Sequence, residues 1–188
     1  LGALENWRDE ISLAGALRIL THAPDPNVYE ASFLADLGVT GSGSLRQRYN
    51  AMVNIPLAED RLALRVVGFS RDEEGYIDNL GTGIDDANRL KSWGGRATLL
   101  WEPTDRFSAQ LRLSREESTP EDSSLVNPEL GEDRRYSDRP DMFTGQMTNY
   151  NATLEYQFDF ARLTSSTTWS DYDATFNVDL AGTYDQAF

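Results

Sequence analysis

The sequence predicts an all-β protein: an antiparallel up-and-down meander of about seven long strands that is part of a transmembrane β-barrel. Two observations predict this fold class. From Val28 onward, apolar and polar residues alternate with a period of two, as they do in strands that have one apolar and one polar face. The connections between these segments differ sharply in length, and short turns and long polar loops follow one another as they do in outer-membrane barrels.

The alternation is clearest in the segment from 107 to 114, where every odd position is apolar and every even position is polar. The segments are about ten to twelve residues long, whereas strands of soluble sheets usually have about five or six residues. About nine to eleven tilted residues cross a bilayer, so the length favours membrane-spanning strands. The segments cover residues 29–37, 45–55, 62–71, 96–101, 107–114, 150–158 and 163–169, and a further strand is predicted at 16–21.

Three predicted connections are tight, at 56–60, 102–106 and 159–162, and two are long and polar, at 72–92 and 116–145. In an outer-membrane barrel the tight turns lie on the periplasmic side and the long loops outside. The turn at 38–43 is the exception, because it is short although it falls on the side of the long loops. Aromatic residues near the segment ends are typical of interfacial girdles: Tyr49, Trp93, Trp101, Phe107, Tyr150, Phe158 and Trp169.

Composition excludes several kinds of partner and site. The formal net charge of −14 argues against nucleic acid as a partner, because phosphate binding needs clustered Lys and Arg. Cysteine is absent, which excludes disulfides and thiolate metal sites. No run of 18 or more apolar residues is present, so the sequence predicts no transmembrane helix.

The sequence predicts no catalytic residue, no cofactor and therefore no enzyme. His22 is the only histidine and lies beside Pro24 in a linker, and no Gly-x-Ser-x-Gly nucleophile turn is present. The many loop carboxylates are interpreted as solvated surface, and no metal site is predicted. If a cation binds, its candidate ligands are Asp85, Asp86 and Asn88, although their spacing is not that of a calcium-binding loop.

Several short motifs, in this order and spacing, resemble TonB-dependent outer-membrane receptors. Residues 15–21, Gly-Ala-Leu-Arg-Ile-Leu-Thr, resemble the end of that family's plug domain. Residues 54–57 and 60–65 resemble the first periplasmic turn of its barrel and the strand that follows. Residues 75–79, with Asp86 and Asn88, resemble its next extracellular loop, and 101–105 resemble the second turn.

The resemblance implies that residues 1–27 are the C-terminal remnant of a plug domain with its linker, and that 28–188 are the N-terminal portion of the barrel. The family barrel has about 22 strands, so the chain is read as a piece of a longer protein. The intact protein is expected in the bacterial outer membrane, surrounded by its lipid. There it would import a scarce small-molecule nutrient such as an iron-siderophore, cobalamin or a glycan, with energy from the TonB protein acting through the missing plug.

Within this interpretation, the candidate ligand-binding residues lie in two places. Asp78 and Asn79 belong to the first long loop, and Arg65 and Arg96 to the polar strand face that would line the lumen. These arginines could contact an anionic ligand or pair with carboxylates of the plug, and the sequence favours the structural pairing. A different class also fits the pattern, a soluble β-sandwich that binds carbohydrate through Trp93, Trp101 or Trp169.

Overall fold

The computed structural model describes residues 21–40 and 44–179, and this part of the chain is all-β with no α-helix. Seven long strands form one antiparallel sheet in the order β1-β2-β3-β5-β6-β8-β9, so neighbours in the sequence are neighbours in the sheet. β4 and β7 form a separate two-stranded parallel pair. The strands are β1 Glu30–Val39, β2 Leu45–Ala58, β3 Leu62–Glu73, β4 Asp78–Asn79, β5 Leu90–Thr104, β6 Phe107–Pro120, β7 Arg134–Arg135, β8 Phe143–Gln157 and β9 Arg162–Phe176, with a 3-10 turn at Pro128–Leu130.

The predicted all-β class and the seven-stranded antiparallel meander are confirmed. The strands of the main sheet have 10 to 15 residues, so several are longer than the sequence pattern indicates. The strand predicted at 16–21 lies outside the described residues apart from Thr21, which is not in a strand. Within the described ranges, no helix is both long and apolar enough to cross a membrane.

The predicted turn boundaries are wrong at both prolines. Pro56 lies inside β2 opposite Ala63, and Pro103 lies inside β5. A register shift next to each proline marks a β-bulge, where a residue without an N–H group is tolerated. The strands therefore run past the prolines, and Phe158, predicted as a strand residue, falls in a turn. The long loops, at 74–89 and 121–142, are shorter than predicted, because the flanking strands extend into the predicted loop ranges.

The pairing register sorts the side chains of the sheet into two faces. On one, here called the apolar face, aliphatic and aromatic residues stand opposite one another from strand to strand. On the other, the polar face, the equivalent row contains amides, hydroxyls and guanidinium groups. One apolar row is Val53, Val66, Ala97, Leu113, Tyr150 and Trp169; the adjacent polar row is Asn54, Arg65, Thr98, Arg112, Asn151 and Thr168.

The sheet is a single layer, and most of its large apolar side chains are exposed. β9 is exposed along its whole length. The most deeply buried large side chains lie mainly in the long loops instead, with Ile77, Asn79 and Ser137 each at most 2% exposed. The described residues therefore form a thin sheet with a compact core at its loop end.

One buried residue of the sheet fixes the segment that leads into β1. Asn54, 1% exposed, lies on the polar face near the turn end of β2. Its Oδ1 accepts the Asp25 N–H at 3.0 Å, and its Nδ2 donates to the carbonyl oxygens of Asp25 at 2.9 Å and Val28 at 2.6 Å. Asn27 extends the same attachment, because its Oδ1 accepts the N–H of Asp60 at 3.2 Å. The entering segment is thus held against the polar face.

We expect Asn54→Ala to release this segment while the sheet stays folded. The variant loses three hydrogen bonds and leaves backbone groups of Asp25 and Val28 without partners, which costs about 1–3 kcal/mol of local stability. Hydrogen exchange at the Asp25 amide should accelerate by tenfold or more. Asn50→Ala is the matched control, because Asn50 is an exposed asparagine on the same strand and face. Equal exchange rates at Asp25 in the two variants would contradict the assignment.

Candidate functional site

The two long loops fold against each other at one end of the sheet. We call this unit, residues 74–89 and 121–142, the loop cap. Its backbone is joined where β4 pairs with β7, with Asp78 opposite Arg134 and Asn79 opposite Arg135. The N–H of Leu80 donates to the carbonyl oxygen of Arg135 at 2.9 Å. Two loops that are separated in the sequence by the whole of β5 and β6 therefore form one structural unit.

Asn79, one of the predicted ligand-binding residues, is the centre of the loop cap. It is 1% exposed, and its Nδ2 donates to Asp122 Oδ2 and to Ser137 Oγ, both at 2.8 Å. Its Oδ1 accepts backbone N–H groups, including that of Ser137 at 3.1 Å and that of Gly81 at 3.2 Å. With its amide occupied on both sides, Asn79 joins the two loops rather than facing solvent.

A buried ion pair supports the same unit. Arg135 bonds to the carboxylates of Asp122 and Asp141. The side chain of Arg135 is 9% exposed and that of Asp122 1%. Asp122 is further satisfied by the N–H groups of Ser123 at 2.7 Å and Asp141 at 2.9 Å. The buried charges of Arg135 and Asp122 are tolerated because they pair with each other and with the further partners given above.

The backbones of the loop cap approach so closely at two positions that only glycine fits. A Cβ on Gly75 would lie 1.8 Å from the Asp86 carbonyl oxygen, and one on Gly81 would lie 2.2 Å from that of Ser137. Both distances are far below any real carbon–oxygen contact. Gly75 therefore lets the first loop fold closely on itself, and Gly81 lets the first loop approach the second.

The candidate cation ligands also lie in the loop cap. Asn88 is 7% exposed and its Oδ1 accepts the N–H groups of Tyr76 and Ile77, each at 2.8 Å. Asp86 adopts a positive φ of 53° in the left-handed region, and its N–H donates to Asp78 Oδ1 at 3.2 Å. Among residues 21–40 and 44–179, no group of three or more His, Cys, Asp and Glu is arranged to hold a metal ion. The oxygen of Asn88 is committed to holding the loop backbone.

The polar face carries arginines along its length, and those at the loop end are paired. Arg46 lies 3.6 Å from Asp36, and Arg48 and Arg71 lie 2.5 and 2.6 Å from Glu73. Hydrogen bonds from Arg71, and then from Arg48, lower the pKa of the Glu73 carboxyl below its usual 4.5. Each of these three arginines therefore has a carboxylate partner.

In the middle of the polar face the arginines have fewer carboxylate partners. Arg65 has one partner, Glu30 at 3.3 Å, and Arg96 has no hydrogen-bond or ion-pair partner among the described residues. Arg112 donates to the neutral Gln110 Oε1 at 3.1 Å, while its buried Nε has no acceptor. We call Arg65, Arg96 and Arg112 the arginine cluster. A cavity of about 440 Å³ lies beside it.

The four predicted ligand-binding residues therefore lie in two separate regions. Asp78 and Asn79 belong to the loop cap, and Arg65 and Arg96 to the arginine cluster on the sheet. Sequence reasoning missed the roles of Asn54 and Arg135. Alternation places Asn54 on the polar face, but it predicts neither role, because the partners of Asn54 and Arg135 are 29 and 13 positions away in irregular segments.

No family model, no curated protein and no solved structure matches this chain.

We expect Arg135→Gln to loosen the loop cap. The substitution leaves Asp122 buried without its cation, and breaking a buried ion pair from one side costs about 3–5 kcal/mol. Limited proteolysis should then cut within 121–142 much faster than in the unaltered chain. Arg134→Gln is the control, because Arg134 is the exposed neighbour in the same short strand. If both variants were cut at the same rate, the ion pair would not hold the cap.

The ion pairs of Glu73 with Arg48 and Arg71 predict that the free energy of unfolding falls in acid. Since the pKa of Glu73 is lower in the folded than in the unfolded chain, its pairing stabilises the fold above pH 4.5, and this contribution is lost as pH falls through the folded pKa. The free energy of unfolding in urea should therefore fall less between pH 6 and pH 3 in Glu73→Gln than in the unaltered chain. Glu116→Gln, which alters an exposed acid on the same face, should keep the full pH dependence. Identical pH profiles for Glu73→Gln and the unaltered chain would refute the prediction.

Proposed function

We propose that the chain is part of a TonB-dependent outer-membrane receptor, in which the sheet forms a section of the barrel wall and the intact protein imports a small-molecule nutrient. The observation that carries the proposal is the apolar face. It is continuous across seven strands, and no second layer covers it among the described residues. A face of this kind needs an apolar environment, and a bilayer supplies one.

The apolar face has aromatic borders, as a membrane-spanning surface requires. At the loop side, Trp93 is 49% exposed and the Arg115 guanidinium lies over its ring at 5.9 Å. At the turn side, Trp101 meets Phe107 edge-on with ring centroids 6.0 Å apart. Trp93 and Trp101 are eight positions apart on β5, about 27 Å along an extended strand. With the usual tilt of about 40° this becomes about 21 Å, close to the apolar band of such barrels.

From the loop-side border onward the same face turns polar. Glu117 stands opposite Trp93 and Gln146, and Asp72 stands opposite Lys91, two residues past Trp93 on β5. On β9, Asp173 stands opposite Gln146. Charged groups are thus concentrated at the level of Trp93, where a headgroup region would begin, and this supports a membrane boundary there.

The polar face supports the same proposal from the other side. Asn54 holds the segment before β1 against this face, and Thr21 lines the cavity beside Arg96 and Arg112. In a receptor of this family, the chain that precedes the first barrel strand comes from a plug inside the lumen. A segment attached to the polar face is compatible with that path.

The two outer strands of the sheet, β1 and β9, would need additional strand partners in a membrane barrel. β1 and β9 each pair on one side only within the described residues. Unpaired backbone groups in lipid cost several kcal/mol each, so a membrane sheet closes on itself. The proposal therefore requires further strands, up to the family's total of about 22.

The alternative, a carbohydrate-binding β-sandwich, uses the same tryptophans differently. Trp93, Trp101 and Trp169 all lie on the apolar face, where a sandwich would pack its second sheet. The only other sheet in the described residues is the two-stranded pair in the loop cap. The geometry therefore favours the receptor.

A quenching experiment tests the proposal. The chain is folded in micelles of maltoside detergent with brominated acyl chains, in a variant that keeps Trp101 and replaces the other three tryptophans with Phe. We expect strong quenching of Trp101, because its side chain would face the detergent tails. The control adds Ser166→Trp on the polar face in a background without other tryptophans, and it should be quenched at least twofold less.

The opposite result would support the sandwich. A chain that stays monomeric without detergent, binds soluble glycans through Trp93 or Trp169, and shows equal quenching of the two probes would rule out the receptor proposal.

A further inference from the structure

The arginines of the polar face differ in how their charge is balanced. Those at the loop end have carboxylate partners within 3.6 Å. In the arginine cluster, only Arg65 has one, and its partner Glu30 is half exposed. The chain contains 31 acidic against 17 basic residues, so carboxylates are not scarce. Among residues 21–40 and 44–179, the lack of an ion pair at Arg96 and at Arg112 is therefore a local property of this part of the sheet.

The register brings the three guanidinium groups close together. Arg65 and Arg112 both stand opposite Thr98, which lies between them on β5. Arg96 is two residues from Thr98 on the same face. Its charge is disfavoured mainly by partial burial, and next by the nearby charges of Arg112 and Arg65. An anion placed among them would relieve both costs.

The adjoining cavity provides space for such an anion. Its volume of about 440 Å³ lies in the range of about 300–1,000 Å³ that is typical of small-molecule sites. Arg96 and Arg112 line it together with the polar Ser114 and Asn149 and the apolar Phe69 and Met147. One acid, Glu116, also lines it, at the loop side of the cluster, and makes no ion pair with Arg96 or Arg112. The lining combines cationic donors with neutral polar and apolar surface.

We propose that the arginine cluster is a binding site for a small molecule that carries a carboxylate or phosphate group. The oxyanion is held by the forked N–H donors of Arg96 and Arg112, which suit both groups. Asn149 and Ser114 contact the neutral part of the molecule. The site deepens the proposed function by giving the chemical class of the imported nutrient, and in that respect it rests on the receptor proposal. The binding itself requires only the polar face.

Calorimetric titration tests the site with two probes, citrate and inorganic phosphate, added separately to the complete chain in uncharged maltoside micelles. Citrate tests the carboxylate source and phosphate the phosphate source. We expect at least one to bind saturably, and Arg96→Gln and Arg112→Gln each to weaken it tenfold or more. Arg96→Lys keeps the charge but not the forked N–H donors, so its affinity should lie between those of the unaltered chain and Arg96→Gln. Arg106→Gln removes the same charge at an exposed turn position and should change affinity less than twofold.

The outcomes separate this site from the receptor proposal. If neither anion binds saturably, or if Arg96→Gln and Arg106→Gln bind equally well, the site is refuted, whatever the quenching of Trp101 shows. If an anion binds with the expected variant pattern while Trp101 is not quenched, the site stands and the receptor proposal fails. Circular dichroism of each variant checks that the sheet is intact. Where Arg96→Gln does not fold, the comparison of Arg96→Lys with the unaltered chain decides, and equal affinities would refute the site.

Discussion

The whole structure depends on the register of the antiparallel ladder. Strand side chains have a period of two, so a slip of one residue in any pair would move that strand's apolar residues to the polar face. Six successive pairings keep the same parity from β1 to β9. The bulges beside Pro56 and after Trp101 lie at the turn ends, where they disturb few side chains. The two faces are therefore a consequence of hydrogen bonding rather than of any packed core.

A single-layer sheet has to satisfy each of its surfaces separately. The apolar face needs an apolar environment, the polar face needs water or a polar partner, and the outer strands need further backbone pairing. The loop cap needs none of these, because it contains its own core around Ile77 and Asn79. Stability is thus local at the loop end and depends on the surroundings elsewhere, a division that is compatible with the proposed place of the sheet in a barrel wall.

The sequence predicts the features that depend on neighbouring residues and misses those that depend on residues far apart in the chain. Alternation is a local signal, so it located all seven strands and assigned Arg65 and Arg96 to the polar face. The loop cap depends on contacts such as Asn79 with Asp122 and Ser137, which are 43 and 58 residues apart. No local pattern predicts such pairs. The turn predicted to begin at Pro56 was wrong for a different reason. Proline usually ends a strand, and the sequence does not show the bulge that accommodates it.

Contacts between residues far apart in the chain also distinguish arginines that occupy similar positions in the sequence pattern. Arg48 and Arg112 both occupy polar positions of alternating strands, yet Arg48 stands opposite Arg71 and within reach of Glu73, whereas Arg112 stands opposite Thr98 and Asn151. Cross-strand neighbours, not the residue type, determine whether a charge is neutralised. A cation with a neutralising neighbour has a structural role on the face. A cation that the register leaves among neutral and cationic neighbours retains its capacity to bind an anion, and this is why the proposed anion site lies at the arginine cluster rather than at the loop-end arginines.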